Sequence, residues 1–397
     1  VVVRPVQSAA DLSRFIDLPY KLHRDDPLWV PPLRRDVRVL LSRDRNPFFE
    51  HAEVEYFLAE QREDGRTGGR QPDHPSRSAV LPSSRRTGAR WRLVGRIAAI
   101  HNRAHNAFHE DSVGFFGFFE TVDHPEVAHA LFDAAAEWLK ARGLTVMRGP
   151  ASFSTNDECG LLVDGFDTPP TILNPHNPPY YVPLVEGAGF TKAEDLYQYQ
   201  SRNPNMPERL LRAAEMLAQR QRITLRPLDK KRFDGEVEKI KTLYNAAWER
   251  NWGFVPMTDA EIDHLAAQLK PVVVPDVIVF AEKDGETIGF AAALPDLNVA
   301  LKANPSGRLF PFGLIKILWA SRRITRLRIL LLGLLKEYRK TGADALMYHW
   351  IWEKGRARGF DWGEAGWVLE DNMGMRKGIE RVGFEHYKTL RMYDRPL

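Results

Sequence analysis

One cysteine, Cys159, is the only thiol in this 397-residue sequence. A single cysteine excludes an internal disulfide and a cysteine-based zinc cluster, and it fits a reducing compartment. A thiol nucleophile is the one chemical use left for it. Long apolar runs are missing too: no window approaches the roughly 18–20 uncharged apolar residues that a membrane-spanning helix needs. The opening VVVRPVQSAADL lacks the basic start, apolar core and small-residue cleavage site of an export signal, so the expected address is the cytoplasm. There is no zinc-finger spacing, aromatic RNA-binding signature or long basic arm, which leaves nucleic acid supported by net charge alone. That charge, +4 with a pI near 9.0, favours anionic partners, whether a phosphorylated co-substrate, nucleic acid or an acidic membrane face.

What the chain does have is enough material for two cores, since domains usually hold roughly 100–200 residues. Strand-like runs begin at Glu53 (EVEYFLAEQ) and Trp91 (WRLVGRIAAIHN). Between them lies a Gly-, Pro-, Ser- and Arg-rich stretch, 63–90, that reads as a disordered insertion in a hairpin loop. The run GFFGFFE, 114–120, follows. Asp123, His124 and Pro125 then announce a helix whose Val127, Leu131, Ala135, Trp138 and Leu139 form one apolar stripe. The second half echoes this order. Ala141-Arg142-Gly143 returns as Ala357-Arg358-Gly359, and the Gly189-Phe190 turn before a terminal strand returns as Gly383-Phe384. A period near 200 residues means a duplicated domain. The expected units are 1–200, a linker helix within 201–222, and 223–397.

In the second unit the apolar strand RLRILLLGLL runs into Lys336-Glu337-Tyr338-Arg339-Lys340-Thr341-Gly342-Ala343-Asp344 and then a helix. A strand that breaks into a basic, Gly-containing turn at a helix N-terminus can present amides to a phosphate; a plain loop with surface charges fits the same spacing. The order of strand, Arg-x-x-Gly turn, long helix, strand, Asn372, short helix and Val382-Gly383-Phe384 resembles the GNAT superfamily of acyl-CoA N-acyltransferases over residues 223–397, and the first half resembles it more loosely.

The resemblance implies an α/β architecture of two tandem GNAT-like folds, each a mixed, mostly antiparallel sheet flanked by helices. It implies acyl-CoA as co-substrate without a metal, a diphosphate held at Arg339, Lys340, Thr341, Gly342 and Ala343, and a pantetheine arm beside Asn372. The chain departs from the family pattern in two places. Asp344 stands where a small residue is usual, and Ile379 stands about where a general-acid Tyr is usual, so Tyr387, Tyr348 or water is left to protonate the leaving thiolate. The equivalent first-half turn, Glu120 to Pro125, has two acids, a proline and no glycine, so this half is expected to shape the acceptor pocket.

A long polar and aromatic segment from Ser152 supplies the remaining candidates. Glu158 and His176 are the candidate bases, because an amine must lose a proton before it attacks. Asn156, Asn177, Tyr180 and Tyr181 are candidate acceptor-binding residues. Asp157 and Asn174 are further polar groups of this segment, for which a Pro-stiffened structural loop is the plain alternative; His101 and His105, on the strand-like run WRLVGRIAAIHNRAH, are further candidate bases, with a structural His on a strand as the alternative. Finally, 308–335 crowds Phe310, Phe312, Leu314, Ile315, Leu318 and Trp319 beside Lys316, Arg322, Arg323, Arg326 and Arg328. Such a segment suits either a buried helix or peripheral contact with an anionic membrane, here the inner face of the cytoplasmic membrane, through 308–328. Together these features point to acyl transfer from acyl-CoA to an amine, with a lipidic long-chain acceptor of the bacterial ceramide-synthase type. A non-catalytic acyl-CoA or lipid sensor and an aminoacyl-tRNA-dependent transferase are the rival readings.

Overall fold

The computed structural model describes residues 1–63, 90–202, 206–248, 251–339 and 341–397. The insertion expected within 63–90 lies outside these residues except for its two ends, as does Lys340. The first half supplies β1 (Val2–Pro5), β2 (Ala52–Glu63), β3 (Arg90–Asn102), β4 (Val113–Thr121), β5 (Val146–Gly149), the short ribbon β6 (Ala151–Ser152) and β7 (Glu158–Cys159), β8 (Leu161–Asp164) and β9 (Thr191–Ser201). The second half supplies β10 (Ile223–Pro227), β11 (Ile278–Lys283), β12 (Glu286–Pro295), β13 (Arg326–Leu334), β14 (Trp362–Leu369) and β15 (Glu385–Pro396).

Local sequence accounts for most of these elements. The helix Pro125–Lys140 starts on a proline at its first turn, where the missing N–H costs nothing, and its stripe of Val127, Leu131, Ala135 and Leu139 is buried against the first-half sheet. Gly95 on β3 lets that helix come close, since a Cβ there would lie 2.7 Å from a Leu131 methyl. The β11–β12 hairpin turns at Asp284 and Gly285, with φ of 50° and 89°, the two left-handed residues that a tight hairpin of this kind requires. In the second half, the helix Ala343–Ala357 buries Met347 and Ile351 in the same way.

The strands do not close two separate sheets. They form one continuous sheet in the order β1-β2-β3-β4-β5-β15-β9-β14-β13-β12-β11-β10, with β8 added beside β15. Among the described residues only β4–β5 and β13–β14 pair parallel, and the other pairs are antiparallel. The last strand of each half is exchanged. β9 lies against β14 of the second half, and β15 returns to pair with β5 and β8 of the first. The two exchanged strands pair with each other at the centre, from Thr191↔Asp394 to Gln200↔Glu385. Leu390 and Met392 of β15 are thus buried in a cluster with Phe153, Leu162 and Leu196 of the first half. Among the described residues, no helix is long and apolar enough to cross a membrane.

If the exchange couples the halves, Leu390→Ala will cost about 2–5 kcal/mol, the usual range for a buried Leu-to-Ala cavity. Denaturant unfolding will stay a single transition, and hydrogen exchange will speed up in β5 and β8 of the other half. Faster exchange confined to residues 223–397 would refute the coupling.

Candidate functional site

β13 and β14 run side by side for four pairs only, Arg326–Ile329 with Trp362–Ala365. At that level both strands break their outer ladders. The β12–β13 register slips between Ala292 and Ala293, which leaves Leu330 as an extra residue on β13, and the β14–β9 register slips past Gly366 and Trp367. A bulge leaves its extra residue outside the ladder and bends the strand. The result is a notch in the sheet with the half-buried Leu330, Leu331 and Leu332 on one edge and Trp367 on the other. In the first half, β4 and β5 part in the same fashion after Val113–Phe115, but there the chain fills the gap itself. Ala151 and Ser152 press so close that a Cβ on Gly117 would sit 2.0 Å from the Ala151 carbonyl oxygen, and the Phe118 N–H donates to Ser152 Oγ at 3.1 Å.

Beyond the second-half notch comes the turn into the helix Ala343–Ala357. Gly342 has φ of +80°, and a Cβ there would lie 2.9 Å from Ala214 Cα of the linker helix Glu208–Arg220. Glycine is therefore required twice, by conformation and by close packing. Thr341 is buried; its hydroxyl donates to the Tyr338 carbonyl at 2.7 Å and accepts the Ala343 N–H at 3.4 Å. Arg339 and Asp344 are exposed, and Arg339 Nε donates to the Leu334 carbonyl at 3.4 Å. Asn372 caps the helix Met373–Arg381 by accepting the Met375 N–H at 3.1 Å.

Between the notch and the first half lies a buried polar centre. Arg328 and Glu364, 2% and 0% exposed, approach to 3.3 Å across β13 and β14. Glu364 also accepts from Thr171 Oγ1 and Asn174 Nδ2, each at 2.8 Å, and from the Tyr387 hydroxyl. Burial, and after it the Glu364 charge, hold the Tyr387 phenol well above its usual range. Trp367 Nε1 donates to Asn174 Oδ1 at 3.0 Å, so the first-half segment around 171–174 is tied to the notch wall. Lys388 donates to the Thr168 carbonyl at 2.6 Å, and its burial brings its pKa down to about 8.

Glu158 faces this centre from β7. Its side chain is exposed to solvent, although surrounding protein atoms displace part of its water. Its carboxylate makes no hydrogen bond or ion pair with the described residues. Burial and then the neighbouring Asp157 raise its pKa to about 7, against the weaker pull of Arg328 and Arg96. Asp157 itself, raised to about 6 by burial, accepts from Ser154 Oγ at 3.1 Å. On the first-half side a matching cluster joins Arg96, Glu120, His23 and Tyr181. His23 Nε2 lies 2.7 Å from a Glu120 oxygen, to which the Tyr181 hydroxyl also donates at 2.7 Å.

The three candidate catalytic residues are not joined to one another. Glu158 is unpaired, Tyr387 spends its hydroxyl on Glu364, and His176 Nε2 pairs with Asp26 at 2.8 Å. Glu158 and Tyr387 nonetheless share Arg328 as a neighbour. The four candidate acceptor-binding residues are spent on the protein. Asn156 donates to the Val255 carbonyl at 3.0 Å, and Asn177 accepts the Leu162 N–H at 2.7 Å. Tyr180 donates to the Thr121 carbonyl at 2.9 Å, and Tyr181 is buried against Glu120. His105 lies on the helix Arg103–His109 rather than on a strand, and burial drops its pKa to about 3. Burial likewise holds the Cys159 thiol far above its usual range, which suits a packing residue and not a thiolate nucleophile. Among the described residues no group of three or more His, Cys, Asp or Glu side chains could hold a metal ion.

Arg328, expected among the cations of the segment 308–328, is instead buried in the sheet with Glu364, and Arg96, Glu120 and Glu364 did not stand out in sequence as parts of buried charge centres. The signal that marks them is a charge inside an apolar strand run, as in RLRILLLGLL and WGEAGWVL.

No protein-family model matches the chain. Two curated proteins align over its full length. A bacterial ceramide synthase of Caulobacter vibrioides strain NA1000 is 38% identical over 410 residues, 100% of this chain and 97% of that protein. The YghO protein of Escherichia coli K12 is 33% identical over 402 residues, 100% of this chain and 95% of that protein. Among solved structures, a tandem GNAT protein from the clavulanic acid biosynthesis pathway superposes with a TM-score of 0.54 at 13% identity, covering 100% of this chain and 98% of that one. The fold is therefore the tandem GNAT fold.

Removing one partner of a buried ion pair strands the other charge. Arg328→Met will cost about 3–5 kcal/mol in urea unfolding at neutral pH, and adding Glu364→Gln will recover part of that loss. Equal stabilities for the two variants would mean that the pair does not act as one unit.

Proposed function

The chain belongs to the bacterial ceramide synthase family, and on that premise we propose that it moves an acyl group from acyl-CoA to the amino group of a long-chain lipid amine. The observation that carries this reading is the unpaired Glu158 carboxyl with its pKa near 7, set between the charged centres of the two halves. A carboxylate with this pKa can take a proton from an ammonium at neutral pH, which the ordinary Glu, near 4.3, does poorly. The freed amine nitrogen attacks the thioester carbonyl carbon, the carbon–sulfur bond breaks as the amide bond forms, the sulfur leaves as a thiolate, and the nitrogen gives up its surplus proton to water. Protonated Glu158 is acidic enough to return the proton to that thiolate, since thiols have pKa values of about 8.5. Tyr387 is the weaker acid of the two and serves better to hold Glu364 in place.

In this reading the thioester arm enters the notch between β13 and β14, where the bulged backbone at Leu330 offers an amide to the thioester carbonyl. The diphosphate rests on the turn of Arg339, Lys340, Thr341, Gly342 and Ala343, with Asn372 near the arm. The filled notch at Gly117 argues against a second acyl-CoA in the first half. The units 1–200, 201–222 and 223–397 are part of the same proposal, as duplicated folds whose last strands have traded places.

A lipidic acceptor also suits the helix Gly313–Ser321 and the residues before it. Phe310, Phe312, Ile315, Leu318 and Trp319 are 79%, 65%, 64%, 58% and 56% exposed, beside exposed Arg308, Lys316, Arg322 and Arg323. Apolar side chains that are turned outward among cations fit peripheral contact with an anionic membrane through 308–328.

Glu158→Gln will lower kcat by about 10²–10⁴-fold with little change in KM, the usual worth of a general base. For the wild type, kcat/KM will rise with pH through about 7 as Glu158 loses its proton, and that limb will vanish in the variant. An unchanged pH profile in Glu158→Gln would remove Glu158 from the mechanism. Arg339→Glu will raise KM for acyl-CoA by about tenfold, the loss expected for one charge-assisted hydrogen bond; an unaltered KM would place the diphosphate elsewhere.

A further inference from the structure

A cavity of about 580 Å³ lies apart from Glu158 and Glu364. It lies between the segment 17–34 of the first half and residues 302–306 of the second. Its volume is in the range of pockets that take a small organic ligand, roughly 300–1,000 Å³. Its charges are unevenly satisfied. Asp17 is paired with Arg34, and Asp26 accepts from His176 and from the amides of Leu28 and Trp29. Lys21 and Arg24 are exposed and have no carboxylate partner among the described residues, and the Lys302 ammonium reaches only the Pro27 carbonyl. The cavity therefore presents three cations without a carboxylate partner, offset in part by the Asp26 carboxylate, because burial holds its partner His176 below the usual imidazole range.

The second-half wall of this cavity, Pro305 and Ser306, leads along the chain into the outward-facing apolar run. The Arg34 N–H donates to the Gly307 carbonyl at 2.9 Å, and Arg34 Nε donates to the Ser306 carbonyl at 2.8 Å. Gly307 is seated so tightly that a Cβ would lie 2.3 Å from the Tyr20 hydroxyl oxygen. From Ser306 on the cavity wall, the chain reaches the exposed Phe310 within four residues.

We propose that this cavity receives the phosphate-bearing head of an anionic membrane lipid while the side chains of 310–319 sit among its acyl chains. The proposal rests on the peripheral membrane reading above and gives it a headgroup site. With Phe310, Phe312, Ile315 and Leu318 in the acyl boundary, Lys21, Arg24 and Lys302 come to the depth of the phosphates. Trp29 and Tyr20, on the cavity wall, are the residue types that favour that same interfacial level.

The test uses the full chain and two readouts. The first is the part of the tryptophan fluorescence that is lost in Trp29→Phe, followed during titration with monomeric short-chain phosphatidylglycerol, short-chain phosphatidylcholine or inorganic phosphate. The second is cosedimentation with phosphatidylcholine vesicles, with and without phosphatidylglycerol. Phosphatidylglycerol alone will change the Trp29 signal. Lys21→Ala with Arg24→Ala will weaken that binding about 25-fold, from about fivefold per basic residue at an anionic surface. Ile315→Ser with Leu318→Ser will abolish sedimentation but leave the short-chain lipid binding intact. A wild-type chain that sediments with anionic vesicles but shows no Trp29 response overturns the headgroup site and leaves the docking reading standing. A chain that sediments with neither vesicle sinks the docking reading and the site with it. An equal response to inorganic phosphate would make the cavity an anion site unrelated to lipid.

Discussion

Arg328 and Glu364 are sealed from water in the centre of the sheet, where neither charge could persist without the other. Their pairing sets much of what surrounds it. It joins β13 to β14 at the point where those strands part. Through Thr171 and Asn174 it draws the first-half segment onto the notch wall, and through Tyr387 it engages the last strand of the chain. The same guanidinium contributes to the field at Glu158, so one buried cation links the architecture of the notch to the proton affinity of the proposed base.

The two halves share an order of elements and differ in how each treats the gap between its parallel strands. The first half fills its gap with Ala151 and Ser152 and uses the segment that follows to carry Glu158 toward the neighbouring half. The second half leaves its gap open between leucines and Trp367. In the proposed mechanism this division corresponds to one thioester site and one face for the acceptor, with the base supplied across the join.

Much of this was legible in the residues. The Gly143, Gly189, Gly359 and Gly383 turns that revealed the repeat all take positive φ, the conformation that made those glycines informative. The stripe at Val127, Leu131, Ala135 and Leu139 and the hairpin at Asp284-Gly285 follow from periods of 3.6 and 2, which are local properties. The exchange of β9 and β15 was not legible, because alternation of side chains fixes which face of a strand is buried and says nothing of its neighbour. Asn177, Tyr180 and Tyr181 looked like binding groups because they are polar and aromatic in an irregular segment, and the fold engages them with backbone groups of Leu162 and Thr121. The segment 17–34, with His23, Trp29 and two unpaired cations, carries no periodic pattern, and only the fold shows that it faces residues 302–306.

The exchanged strands also constrain the order in which the molecule can be built. A ribosome releases the first 200 residues well before β15 exists, so β5 and β8 emerge with an open edge that only residues 385–396 can cover. Unpaired strand edges invite pairing with other chains. The nascent first half thus carries an unpaired edge until those residues are made, and either copy of the repeat without the other would lack the partner of an exchanged strand.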